Sequence, residues 1–151
     1  MKKTLTVLIL LFLSGCGYSS IYSNNVNFNF SIKEINLEGD KYINTIIKNK
    51  LIRYESNKTE KQYKIKIKSS FDKIIIAKNK SGNETDLNLI ISVNAEITNV
   101  NKNITNSIYL SESFDIVKRQ NNFEQLEYEK IIKKDLTQII LNKLIVKLNK
   151  Q

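Results

Sequence analysis

The sequence predicts a two-layer α+β domain: a four-stranded, mainly antiparallel sheet with two helices packed on one face, in the order β-α-β-β-β-α. Three observations lead there. Four stretches alternate apolar and polar residues with period two, the mark of a half-buried strand. Two further stretches repeat apolar residues at spacings of three and four, giving each a single apolar stripe along a helix. The last three strands are separated only by short turn-forming segments, so neighbours in sequence are expected to pair as hairpins.

Val26, Phe28, Phe30 and Ile32 alternate with Asn27, Asn29, Ser31 and Lys33 and define the first strand. Glu38-Gly39-Asp40 breaks the pattern, and Asp40 suits a helix N-cap because its short side chain accepts from the free N–H groups of a first turn. Ile43, Ile46, Ile47, Leu51 and Tyr54 form the stripe of the first helix, which should end near Tyr54. Residues 55–62 are charged and polar, a connecting loop. Tyr63, Ile65 and Ile67 then alternate with Lys64, Lys66 and Lys68, a second strand with one basic face. Its continuation through Ile74, Ile75 and Ile76 is less regular, and a bulge or bend is expected at Phe71-Asp72.

Ser81-Gly82-Asn83 marks a hairpin turn between residues 79 and 86. Leu87, Leu89, Ile91, Val93, Ala95 and Ile97 form the longest clean alternation in the chain. Beyond the turn at Asn101-Lys102-Asn103, the pattern resumes with Ile108, Leu110, Phe114 and Ile116, interrupted by Glu112. Tyr128, Ile132, Leu136, Ile139, Ile140, Leu144 and Leu148 trace a long amphipathic helix to the C-terminus.

The first residues carry a different signal. Lys2 and Lys3 precede an almost uninterrupted apolar run from Leu5 to Leu13. That run is too short for a hydrocarbon core of ~30 Å, which needs about twenty apolar residues, and its basic and small-residue flanks read as a secretory signal. Leu13-Ser14-Gly15-Cys16 closely resembles the lipobox of bacterial lipoproteins. The small residues leave room for a peptidase, and the thiol is the nucleophile that takes a diacylglyceryl group. The expected organisation is a signal peptide over residues 1–15, removed on export; a lipidated Cys16 with a tether over residues 16–25; and one periplasmic α+β domain over residues 26–151. Each buried CH₂ adds roughly 0.8 kcal/mol of membrane affinity, so several acyl chains on Cys16 would hold the chain almost permanently. Cys16 is the only Cys, so no disulfide can form within the chain.

Composition narrows the chemistry. The chain has no His, no second Cys, and only 4 Gly, at Gly15, Gly17, Gly39 and Gly82. An imidazole base, a Ser-His-Asp triad, a thiolate metal cluster and a glycine-rich phosphate loop are therefore excluded. Glu124, Glu127 and Glu129 share a predicted helix with Lys residues and read as a solvated face, not a catalytic pair. The expectation is a non-enzymatic chain without metal or cofactor. Removing Lys2 and Lys3 lowers the formal charge from +9 to +7. Such a basic exported domain could meet anionic head groups, lipopolysaccharide phosphates or an acidic protein, and no nucleic-acid partner is expected. A residue bias rich in Lys, Ile and Asn would give the same charge without any selection for binding.

The best candidate binding row is Lys64, Lys66 and Lys68, which period two sets on one sheet face at roughly 6.6 Å intervals. Lys78 and Lys80, near the following hairpin, would extend it. The row reads more readily as a solvated face kept basic to discourage edge pairing.

The segment Cys16-Gly17-Tyr18-Ser19-Ser20-Ile21-Tyr22 resembles the start of mature LptE, the lipopolysaccharide-assembly lipoprotein family, which often begins Cys-Gly-Phe-x-Pro-Leu-Tyr. Ser20 stands where that family usually has Pro. Ile47-Lys48-Asn49-Lys50-Leu51-Ile52 is similar to the Leu-Arg-Asn-x-Leu stretch of the family's first helix, although Asp86 stands where an Arg often precedes the third strand. The resemblance implies an outer-membrane lipoprotein that partners and plugs the LptD β-barrel, assists its assembly and helps deliver lipopolysaccharide to the outer leaflet. Gly17 after the lipidated Cys agrees with outer-membrane sorting. Two other classes stay open: an auxiliary lipoprotein of an intermembrane phospholipid transporter, and a structural outer-membrane lipoprotein.

Overall fold

A computed structural model describes residues 29–55 and 59–150. The signal segment, Cys16, the tether, and Val26 and Phe28 of the expected first strand lie outside the described residues. The elements run β1 (Ser31–Gly39), α1 (Lys41–Leu51), a 3-10 turn (Ile52–Tyr54), β2 (Gln62–Lys78), β3 (Glu84–Asn99), β4 (Ile104–Val117) and α2 (Asn122–Lys150). The order β-α-β-β-β-α is the expected one. The four strands form one open sheet in the order β1-β2-β3-β4, with both helices on one face.

The pairing departs from a mainly antiparallel sheet. β2, β3 and β4 form an antiparallel meander, but β1 runs parallel to β2, so the sheet is mixed. The cause is α1. A helix that spans the interval between two neighbouring strands carries the chain back to its starting end, and the next strand must then run the same way.

Among the described residues β1 begins at Ser31 and continues to Gly39, past the expected end at Lys33. The register shifts between Ile32 and Glu34. One extra residue at this bulge changes the parity, so Phe30 and Ile32 face the helices before it, and Ile35 and Leu37 after it. In β2 no break occurs at Phe71-Asp72, where pairing with β3 is continuous. The irregularity falls at Ile76 instead, among the three isoleucines.

The core is the alternating set of the central strands roofed by the helical stripes. Tyr63, Ile65 and Ile67 of β2 and all six expected residues of β3 are buried, as are Ile43, Ile47, Leu51 and Tyr54 of the first helical segment. In α2 the buried stripe includes Leu141 and Ile145, whereas Ile139, expected inside, is 43% exposed. Phe114 of β4 is also largely exposed. A side chain like that of Leu or Ile contributes about 1.5–3 kcal/mol when fully buried, so this core is the main favourable term.

Two polar contacts fix the helices on the sheet. Gly39 ends β1 at φ +99°, and a Cβ there would sit 1.9 Å from the Ser69 carbonyl oxygen. That carbonyl accepts from the Asp40 backbone N–H at 3.2 Å. Asp40 is the N-cap of α1, its Oδ1 accepting from the Ile43 N–H at 3.0 Å, while its Oδ2 accepts from Lys133 Nζ of α2 at 2.6 Å. Lys133 lies 4.3 Å over the Phe71 ring, so its charge is held on both sides. The second contact corrects an expectation. Glu124 and Glu127 are exposed, but Glu129 is only 7% exposed. It turns toward the sheet, accepting from Lys73 Nζ at 2.8 and 3.0 Å and from Gln125 Nε2 at 2.7 Å.

Gly39→Ala should destabilise the chain by about 2–4 kcal/mol, because it adds both a backbone clash and a strained φ. A lowered urea midpoint at unchanged slope is the expected result; a midpoint within error of the parent would contradict the close approach. Asp40 gives a pH-dependent counterpart. Burial raises its pKa, but the Lys133 ammonium and the N–H groups of Ile43 and Tyr42 outweigh it and hold the carboxyl below its ordinary value. A depressed carboxylate contributes stability above its unfolded pKa of about 3.9, and that contribution fades as pH falls through the lower folded value. Asp40→Ala should therefore cost about 1 kcal/mol or more near neutrality through the lost cap. The gap from the parent should narrow as the pH is taken from about 5 to about 2. A gap independent of pH would show that the Lys133 pair adds nothing.

Candidate functional site

The helix-free face of the sheet is polar over most of its length. Lys64, Lys66 and Lys68 project from β2 onto this face, alternating with buried Tyr63, Ile65 and Ile67. What the sequence hid is their surroundings. The parallel register sets Glu34, Asn36 and Glu38 of β1 beside them, and Glu96 of β3 stands opposite Lys66. Lys64 lies 3.3 Å from Glu34, and Lys66 lies 3.1 Å from Glu38. A hydrogen bond from Asn36, followed by Lys64, holds the Glu34 carboxyl below its usual range, and the Glu38 hydrogen bond pushes Lys66 up. Each pair is half exposed, so water screens it and it adds little to stability. The row is thus an interleaved strip of both signs. Of the three lysines, Lys68 alone forms no ion pair with a described residue.

Across β3 and β4 the same face continues as hydroxyl and amide rungs. Thr98 pairs with Thr105 at 2.9 Å, Ser107 donates to Asn94 at 3.0 Å, and Ser92 meets Ser111 at 3.0 Å and Tyr109 at 3.1 Å. Asn88 donates to Asp115 farther along. These rungs satisfy one another while leaving lone pairs and hydroxyls open to solvent.

Lys78 and Lys80 are not part of this strip. Ser70, Asp72 and Ile74 separate them from Lys68 along β2. Lys78 instead lines an open, polar cleft of about 820 Å³ between the β2–β3 hairpin and the connection from β4 to α2. The structure brings Lys118 and Arg119 into the same cleft, together with Asn83, Glu84 and Thr85. Lys80 lies at the exposed hairpin tip.

Each wall of the cleft has a local cause. The side chain of Asn79 accepts from the backbone N–H groups of Ser81 and Asn83, and Gly82 takes φ +81°, which closes the hairpin. Lys118 N–H donates to the Thr85 carbonyl at 2.7 Å, pinning the end of β4 to the start of β3. Asn121 then caps α2 through the Phe123 N–H at 2.8 Å. Lys118 Nζ donates to Glu84 at 2.6 Å and, with smaller contributions from Lys78 and Lys73, holds that carboxyl below its ordinary value. Arg119 is stacked 4.4 Å over the Tyr128 ring, and its backbone N–H donates to Gln125. Three cations and one carboxylate thus line the cleft, beside the largely exposed Val117. A phosphate could replace water here and find charge-assisted donors. Lys118 and Arg119 escaped sequence reading because they sit in a connection with no periodic pattern. Only the β3–β4 register, Asp86 opposite Val117, places them beside the hairpin.

No helix among the described residues is long and apolar enough to cross a membrane. No family model matches the chain, and no curated protein matches it. Among solved structures the fold recurs. Rare lipoprotein B from Shewanella oneidensis superposes with a TM-score of 0.58 at 11% identity, over 76% of this chain and 91% of that one. Lipoprotein B from Nitrosomonas europaea gives a TM-score of 0.51 at 15% identity, over 78% and 83%. A minor lipoprotein from Acinetobacter baumannii gives 0.50 at 18% identity, over 76% and 94%. At these identities the likeness establishes a shared fold: this chain has the α+β architecture of these bacterial lipoprotein domains.

Proposed function

We propose that the chain is an outer-membrane lipoprotein, anchored through Cys16, that partners and plugs an LptD-type β-barrel and helps deliver lipopolysaccharide to the outer leaflet. The observation that carries this reading is the uncovered sheet face. Its rungs from Lys64 to Ser111 are polar and partly self-satisfied, so the face needs no apolar cover and can lie against the polar inside of a barrel. The lipobox, the LptE-like stretch from Cys16 to Tyr22 and the fold shared with bacterial lipoproteins support the same reading. The role is non-enzymatic. The domain supplies hydrogen-bonding surface to the barrel and cations to lipid phosphates.

Within this reading the cleft of Lys78, Lys118 and Arg119, extended by Lys80, is the stronger lipopolysaccharide contact. Two of the three lysines in the Lys64-Lys66-Lys68 row are already held by Glu34 and Glu38, and we assign that row mainly to fit within the lumen. A pull-down of tagged, full-length lipoprotein from native membranes in mild detergent should recover a heat-modifiable outer-membrane barrel in stoichiometric amount. Recovery of phospholipid-transport components instead would overturn the assignment. Charge reversal at Lys78 and Arg119 should weaken lipopolysaccharide binding by about tenfold or more, equivalent to about 1.4 kcal/mol. Reversal at Lys64, Lys66 and Lys68 should have the smaller effect. The opposite ranking would move the lipid site to the sheet face.

A further inference from the structure

β1 stops at Gly39, opposite Ser69, whereas β2 continues to Lys78. Beyond Ser69, β2 is bonded to β3 alone, and among the described residues no backbone pairs with its other edge. The hydrogen bonds fix which groups face that edge. The carbonyls of Lys61 and Ser69 accept from Ser31 and Asp40 on the β1 side, while that of Gln62 accepts from Val100 on the β3 side. Odd-numbered residues therefore turn their backbone toward β1, and past its end Phe71, Lys73 and Ile75 present free N–H and C=O groups. Ile74, Ile75 and Ile76 on this stretch are 50%, 43% and 51% exposed. Consecutive exposed apolar residues on an unpaired edge are what natural sheets ordinarily avoid. The edge of β4 is open too, but there Glu112 is held by Lys143, and the exposed apolar residues are scattered.

We propose that the edge of β2 over residues 70–78 is a strand-addition site for an extended segment of another protein, one that alternates apolar and acidic residues. Backbone bonds to Phe71, Lys73 and Ile75 would supply affinity, and side chains laid along Ile74 and Ile75 would supply fit. Charge selects the occupant. Lys73 is held by Glu129 of α2, and Lys78 with Lys80 just beyond still outnumber Asp72 on this stretch, on a chain of formal charge +9. A second copy would bring the same excess positive charge to the same edge, whereas a carboxylate-bearing strand would neutralise it. The bulge at Ile76 ends the regular stretch and limits the added strand to a few residues. This site is a property of the sheet edge and does not rest on the lipopolysaccharide reading.

The test uses full-length protein in detergent micelles and a labelled nine-residue peptide alternating valine and glutamate, with a valine–lysine peptide as control. The acidic peptide should bind and the basic one should not. Hydrogen exchange at the amides of Phe71, Lys73 and Ile75 should slow when the acidic peptide is added. Ile75→Pro removes one edge N–H and should weaken binding about tenfold, while Ile75→Val should bind like the parent. Equal binding of the two peptides, unchanged exchange at all three amides, or a chain that sediments as a dimer with those amides already protected would each overturn the proposal.

Discussion

The architecture depends on the contact between the end of β1 and Ser69. Gly39 brings its backbone against the Ser69 carbonyl, closer than any side chain would permit, and the next residue both bonds that carbonyl and caps α1. Ser69 answers with its own hydroxyl, which donates to Asn44 at 2.8 Å within the first turn of the helix. Strand end, helix start and neighbouring strand are thus fixed by a few adjacent groups. Through Lys133 the same carboxylate reaches α2, so one residue ties both helices to the sheet. The contact also determines where β1 must stop, and hence how much of β2 is left uncovered.

Charge is distributed with similar economy. The chain carries a large positive excess, yet several cations on or next to the sheet lie beside carboxylates: Lys64 by Glu34, Lys66 by Glu38, Lys118 by Glu84, Lys73 by Glu129. The last pair differs in kind. Glu129 is enclosed between helix and sheet, where removing charge from water costs several kcal/mol, and only the doubled bond from Lys73 and the bond from Gln125 offset that cost. Such a pair adds little net stability but specifies position. Sliding α2 by one turn would leave a buried carboxylate without a partner.

Much of the fold could be read from the residues, and the failures share one origin. Period two in β3, period three to four in α1, the break at Glu38-Gly39 and the cap at Asp40 are local patterns, and local patterns survive in one dimension. The bulge at Ile32–Glu34 exchanged inside for outside, so Ile35 and Leu37 looked unrelated to Phe30 and Ile32. Glu129 looked solvated because Lys73, its partner, is 56 residues away. The lysine row of β2 was placed on the correct face, but its acidic neighbours belong to β1 and only the parallel register brings them alongside. Lys118 and Arg119 had no pattern at all. What distance in sequence conceals is pairing, and pairing decides whether a charge is a site or a brace.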